Sequence, residues 1–149
     1  HKEVTYALKS IHLDRVRDAI YEQELMNEVA ILQRLDHPHI VRAIETFDYM
    51  DRLYLVLELC SGGDLYARDP YDEAQVCRII HSVVDAVAYM HSKDINHRDL
   101  KFENIMFANP GSFSVKIIDF GFSTCMAPDQ KAKMFCGTPS YMAPEIVRK

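Results

Sequence analysis

The stretch His97-Arg98-Asp99-Leu100-Lys101-Phe102-Glu103-Asn104 gathers a carboxylate, an ammonium group and an amide within a few residues of polar chain. Taken alone, an Asp, a Lys and an Asn in a polar loop are ordinary surface turn chemistry. Farther on, Ile118-Asp119-Phe120-Gly121 sets a second carboxylate at the end of an apolar run, with a glycine after it that lets the chain turn sharply. Phosphoryl transfer needs this inventory. Carboxylate and amide oxygens hold magnesium, a lysine neutralises the moving phosphoryl group, and a carboxylate orients the attacking hydroxyl.

Side chains so far apart must be positioned by a fold. Glu3 to Lys9 has the Val, Thr and Tyr content of a strand, and its alternation puts Ala7 and Lys9 on one face. From about Asp18 to Leu35, apolar Leu25, Val29 and Leu32 recur at helical steps until Asp36-His37-Pro38 ends the helix. Strand-like runs follow at Ile40 to Phe47 and Leu53 to Leu59, joined by a polar turn around Asp48 to Arg52. Ser61-Gly62-Gly63-Asp64 breaks the pattern. Asp72 to His91 is the longest helix, and its wide stripe (Val76, Ile79, Ile80, Val83, Val84, Val87, Met90) predicts a buried core helix. Short strands near Ile105–Phe107 and Val115–Ile118 bracket a turn, and an extended loop runs on to Glu145. Strands first, then helix and loop, describe a mixed α+β architecture.

Composition narrows the field. The chain has 149 residues, 48% of them hydrophobic, which suits one globular unit with a core. Its formal charge of −5 argues against a nucleic-acid binder, which carries a basic field. Cys60, Cys77, Cys125 and Cys136 form no CxxC pair and read as reduced thiols. His37, His39, His81 and His91 lack zinc-ligand spacing and read as caps or surface residues. No apolar run approaches the ~18 residues of a membrane span. A cytoplasmic protein, with the nucleus as an alternative, is expected.

Taken in order, Tyr6-Ala7-Leu8-Lys9, His97 to Asn104, Asp119-Phe120-Gly121 and Ala143-Pro144-Glu145 resemble the motifs of a eukaryotic-type serine/threonine protein kinase. The resemblance implies a two-lobed kinase fold, with residues 1–57 in the N-lobe, 58–63 as the hinge and 64–149 in the C-lobe. It implies ATP and magnesium as cofactors. Lys9 would bind the α- and β-phosphates with Glu28 as its ion-pair partner. Asp99 would orient the substrate hydroxyl, with Lys101 near the γ-phosphate, and Asn104 and Asp119 would hold magnesium. Leu57-Glu58-Leu59-Cys60 resembles the hinge: backbone groups of Glu58 and Cys60 would bond adenine, with Leu57 behind it. Ala7 and Met106 would sandwich the ring, and Asp64 would lie near the ribose.

The Asp-Leu-Lys-x-x-Asn arrangement and Gly137-Thr138-Pro139-Ser140-Tyr141 resemble serine/threonine kinases, with the Thr138 hydroxyl bonding near Asp99 and Lys101. Glu-Leu-Cys-Ser-Gly-Gly-Asp-Leu and Cys-Gly-Thr-Pro-Ser-Tyr resemble the calcium/calmodulin-dependent and AMP-activated-like group. Asp64 and Glu103 match positions that contact arginines upstream of the target residue, which implies protein substrates with a basic residue before Ser or Thr. The intact set of Lys9, Asp99, Asn104 and Asp119 speaks against a binding-only relative. The Gly-Thr-Pro to Ala-Pro-Glu segment speaks against a small-molecule phosphotransferase.

Three departures from the family pattern stand out. No glycine precedes Lys9, and only Ile146, Val147, Arg148 and Lys149 follow Glu145. The family's glycine-rich loop and later helices, which would supply an arginine partner for Glu145, are therefore expected outside this segment. Without those helices much of the apolar cover of the Asp72–His91 helix would be missing and its stripe would face water, so the segment alone is expected to be poorly folded and nearly inactive. The usual activating phosphosite falls on Met134, and Ser123 and Thr124 lie too early, so control by a flanking regulatory segment or calcium sensor is expected instead. Finally, Arg68-Asp69-Pro70-Tyr71 replaces a longer helix and loop, which predicts a trimmed surface loop remote from the chemistry.

Overall fold

A computed structural model describes residues 4–13, 19–127, 130 and 135–148. Its first half is a three-stranded antiparallel sheet in the order β1 (Tyr6–His12), β3 (Arg52–Glu58), β2 (Ala43–Tyr49), with helix α1 (Ala19–Arg34) inserted between β1 and β2. Central β3 fixes the register, setting Lys9 opposite Leu55 and Ala7 opposite Leu57. The β2–β3 turn places Met50 and Asp51 at φ 48° and 56°, the positive values that a tight two-residue hairpin requires.

The second half is built on α2 (Glu73–His91). Asp72 caps it with a reciprocal pair: Gln75 N–H donates to Asp72 Oδ1 at 2.7 Å, and Asp72 N–H donates to Gln75 Oε1 at 3.1 Å. Two small ribbons follow. β4 (Ile95–Asn96) pairs with β7 (Thr124–Cys125), and β5 (Ile105–Phe107) pairs with β6 (Val115–Ile117). A four-residue α3 (Pro144–Val147) closes the described chain. The mixed α+β class holds.

One core joins the halves. Leu25, Ile31, Leu32 and Leu35 of α1 and Leu53 and Leu55 of β3 share a buried cluster with Ala86 and Met90 of α2, Ile95, Ile117 and Phe120. The Ile40 region explains why β2 starts later than its sequence suggests. Val41 N–H donates to Ile117 O and Ile117 N–H to His39 O, both at 2.9 Å, so this segment pairs with β6 before the chain enters the sheet. His37 stacks on Tyr89 at 4.9 Å, and its Nε2 lies 3.3 Å from Asp85, which ties the exit of α1 to α2.

Helix α2 is a core helix along one edge and, as expected for a segment without the later helices, open to water along the other. Ile79, Ala86 and Met90 are buried, but Val76, Ile80 and Val84 are 43%, 53% and 59% exposed. The apolar stripe is wider than the surface that covers it among the described residues, so one flank faces solvent.

Candidate active site

Strand alternation does the first positioning. In β1, Tyr6 and Leu8 point outward while Ala7 and Lys9 are half-buried on the inner face. From α1, the buried Glu28 reaches the same place, and Lys9 Nζ lies 2.7 Å from its Oε1. Asp119 Oδ1 lies 3.8 Å from the same ammonium. Asp119 holds φ at 58°, a left-handed conformation that Asp tolerates better than most residues, just before Gly121. Lys9 thus stands between two carboxylates supplied by different elements.

The second cluster centres on Asp99, which is 5% exposed. Lys101 Nζ sits 2.9 Å from Asp99 Oδ2 and donates to Thr138 Oγ1 at 2.9 Å, while the Thr138 hydroxyl donates to Asp99 Oδ1 at 2.7 Å. Asn104 Nδ2 donates to Asp99 O and Oδ2 at 2.9 and 3.2 Å. Burial alone would raise the Asp99 carboxyl pKa. The Thr138 and Lys101 hydrogen bonds and the Lys101 charge outweigh it and hold the group below its ordinary value. The same hydrogen bond to Asp99 raises Lys101. Both therefore stay ionised at neutral pH.

His97 fixes this loop from beneath. Its Nδ1 accepts from Asp99 N–H at 3.3 Å, so its Nε2 must carry the proton donated to Ile118 O at 3.0 Å. Burial lowers the imidazole pKa, in keeping with that neutral form. Ile118 N–H in turn donates to Asn104 O at 2.9 Å. Through Ile118, then, Asn104 and Asp119 are held on neighbouring strands of chain. Gly137, at φ 109°, lets Thr138 approach: a Cβ there would meet Arg98 O at 2.6 Å.

A cavity of about 280 Å³ opens beside Lys9, and Ala7, Leu57, Glu58, Cys60, Met106, Phe120 and Asp119 are among its lining. Its wall is largely apolar. Among the described residues, the Cys60 amide makes no hydrogen bond and remains a donor at the cavity edge. Burial, followed by the Glu58 charge, raises the Cys60 thiol pKa, so the thiol is neutral there. Asp64 lies just past this edge, its Oδ1 accepting from Tyr66 and Ala67 N–H. Glu103 is exposed on the short 3-10 turn Phe102–Asn104.

Two positioning residues were not foreseen. Arg68 donates to the carbonyls of Asn109 at 2.8 Å, Gly62 at 3.3 Å and Ser112, and its guanidinium lies 3.9 Å from the Phe107 ring centroid. The short Arg68–Tyr71 stretch makes no contact with the site residues, yet it is structural: Arg68 braces Gly62, and the Tyr71 hydroxyl donates to Leu65 O. Only glycine fits at position 62, since a Cβ would meet Phe107 at 2.5 Å. Lys116 lies 2.8 Å from Glu58 Oε1 and donates to Pro38 O at 2.9 Å, which clamps β6 to the end of β3. A lone Arg in a loop and a Lys alternating out of a short strand carry no distinguishing sequence signal.

The family model described as "Protein kinase domain" matches residues 1–149. The chain belongs to the protein kinase family. It is 40% identical to the "Serine/threonine-protein kinase H1 homolog" of Pinctada fucata over 97% of this chain and 35% of that protein. It is 39% identical to "Myosin light chain kinase A" of Dictyostelium discoideum over 95% of this chain and 50% of that protein. A third relative, "Calcium-dependent protein kinase 5" of Plasmodium berghei, is 37% identical over 95% of this chain and 26% of that protein. This kinase-family chain therefore spans about a quarter to a half of the length of these relatives.

In the kinase frame, the segment after Asp119 is anchored early. Ser123 is 2% exposed, its hydroxyl donates to His97 O at 3.4 Å, and Asn27 of α1 donates to Ser123 O at 2.8 Å. A modifying enzyme has no access to that hydroxyl in this conformation. Met134 lies outside the described residues. No helix of the described residues is long and apolar enough to cross a membrane.

Proposed function

We propose that this chain forms the central part of a serine/threonine protein kinase that transfers the γ-phosphoryl group of ATP, with magnesium, to protein hydroxyls. The observation that supports this best is the assembly of two clusters linked through Ile118, whose O accepts from His97 and whose N–H donates to Asn104 O. Lys9, Glu28 and Asp119 meet in one, and Asp99, Lys101, Asn104 and Thr138 in the other. On this reading residues 1–57 belong to the N-lobe, 58–63 to the hinge and 64–149 to the C-lobe.

The residues suit the groups they would hold. Asn104 uses its Nδ2 on Asp99, which leaves its Oδ1 as a hard oxygen donor, and the half-exposed Asp119 carboxylate supplies the other. ATP brings the phosphoryl group, and magnesium neutralises charge on it. Lys9, fixed by Glu28, would hold the α- and β-phosphates. Backbone groups of Glu58 and Cys60 would bond adenine between Ala7 and Met106, with Leu57 behind and Asp64 near the ribose. Asp99, kept ionised, would accept a hydrogen bond from the substrate hydroxyl and orient it, while Lys101 would steady the γ-phosphate and Thr138 would pin the peptide-facing segment to both.

Substrates would be Ser/Thr proteins with a basic residue upstream, met by Asp64 and Glu103. Relatives named for calcium dependence and for myosin light chain support control by a regulatory segment or calcium sensor outside this segment, in the cytoplasm or nucleus. Phosphoamino-acid analysis of peptides treated with the intact protein tests the function. Phosphoserine or phosphothreonine that falls by roughly 10²–10⁴-fold in Asp99→Asn is expected. Turnover unaffected by that change would overturn the proposal.

A further inference from the structure

The cavity beside Lys9 is lined by Glu58 and Cys60 from one segment and by Met106 from another, the β5–β6 hairpin. A short ladder lays the first segment along the second. Ser61 N–H donates to Ala108 O at 3.2 Å, Gly62 N–H to Phe107 O at 3.0 Å, and Phe107 N–H to Gly63 O at 2.8 Å. A ladder this short is marginal by itself and opens readily unless something else holds it.

A cation pins each end. At the far end, Arg68 donates to Gly62 O at 3.3 Å, to Asn109 O at 2.8 Å and to Ser112 O, so one planar fork joins the segment to the hairpin turn. At the near end, Lys116 is the cross-strand partner of Met106, and its Nζ lies 2.8 Å from Glu58 Oε1. The same oxygen accepts from Arg42 N–H at 2.7 Å. Only 15% of the Lys116 side chain and 26% of that of Glu58 are exposed, which sets the pair apart from a loose surface contact. Its charges reach the cavity edge: burial and then Glu58 raise the Cys60 thiol pKa, and Lys116 lowers it. Neither cation lines the cavity, so each acts through the backbone it holds.

We infer that Arg68 and Lys116 are positioning residues that set the preference for adenine over guanine, by fixing the Glu58 and Cys60 backbone against Met106. The inference rests on the proposed kinase reading, which puts a purine in this cavity, and adds the residues that choose which one. Adenine presents an amino donor beside a ring-nitrogen acceptor, whereas guanine presents a carbonyl acceptor beside a ring N–H. An edge held in register leaves its own groups unpaired against guanine. A slack edge adapts to either base and favours neither.

Competition titrations of the intact protein with magnesium-ATP, magnesium-GTP and adenosine separate base selection from general loosening. Lys116→Met and Arg68→Lys should each weaken ATP and adenosine by roughly three- to tenfold, the range of one misplaced neutral hydrogen bond, and leave GTP within about twofold. The KM for ATP should rise by the same factor with kcat held. An ATP-to-GTP preference unchanged in both variants, or ATP and GTP weakened alike, overturns the inference and leaves the kinase reading standing. The wild-type protein gives a second measurement that needs no variant. By reciprocity, adenosine should slow hydrogen exchange at Ser61, Gly62 and Phe107, and unchanged exchange there overturns the inference too. A wild-type protein that binds none of the three compounds overturns the inference and the kinase reading together.

Discussion

Arg68→Ala removes one side chain that holds three carbonyls and an aromatic face. The Asn109 carbonyl is exposed and regains water at once, so its bond adds little. The bonds to Gly62 O and Ser112 O are partly buried. A hydrogen bond from a charged group contributes about 1.5–3 kcal/mol. Partial exposure and the 3.3 Å length of the Gly62 bond bring the pair to roughly 2–3 kcal/mol. The contact 3.9 Å above Phe107 adds about 0.5–1 kcal/mol. The substitution should therefore destabilise the domain by about 3 kcal/mol, which lowers its Tm by roughly 6–12 °C at this size. Arg68→Lys, a point charge without the planar fork, should recover less than half of that. Differential scanning calorimetry of the intact protein reads the shift, and hydrogen exchange at Gly62, Gly63 and Asn109–Ser112 locates it. An Arg68→Ala protein that melts within about 2 °C of wild type, with unchanged exchange there, would refute the brace.

Acidification should act first through His97. Its folded pKa is lowered by burial, so the unfolded chain takes the proton first, and stability that is full above the ordinary value of about 6.5 is lost as pH falls through the folded value. NMR titration should find its ring still neutral where an exposed histidine is half protonated. Asp99 contributes in a lower window. Its depressed pKa means that the stability gap between wild type and Asp99→Asn persists from neutral pH to about 5 and closes below about 4, as urea melts across pH would show. Gly137→Ala places a Cβ 2.6 Å from Arg98 O at a φ suited only to glycine. Thr138 should swing from Asp99, and kcat should drop by at least tenfold, with nucleotide affinity held as the control. Prepared alone, residues 1–149 leave Val76, Ile80 and Val84 half exposed, which withholds about 2–4 kcal/mol of burial from a stability of only ~5–15 kcal/mol. Calorimetry of that segment should therefore give a melting temperature below the ~45–65 °C of ordinary domains, and one within that range would contradict the estimate.

What the sequence conveyed follows from where its information lay. Lys9, Glu28, Asp99, Lys101, Asn104, Asp119 and Thr138 could be named because their spacing follows a family pattern. Their distances follow from ordinary alternation and helical phase, as with Ala7 and Lys9 on one strand face. The β2–β3 turn and the start of α2 were legible from Asp48–Arg52 and Asp72 because turns and helix starts are local chemistry, although the reciprocal cap at Asp72 was not read. Non-local pairings were not. Ile40 reads as strand, yet its partner is β6 rather than β3, and two-residue β4 and β7 have no periodicity to detect. Nor could α2's apolar stripe reveal how much of it would be covered, since amphipathic width says nothing about the neighbour. Arg68 and Lys116 act through carbonyls supplied by distant turns, and no residue type in those turns announces it.

Magnesium dependence of nucleotide affinity bears most directly on the convergence of Lys9, Asn104 and Asp119. Isothermal titration of ATP into the intact protein should give binding that tightens by at least tenfold when magnesium is added. Asp119→Asn should lose most of that gain, and Lys9→Met should weaken binding with or without the ion. An intact, folded protein that fails to bind ATP in the presence of magnesium, or whose affinity ignores both substitutions, would contradict the account.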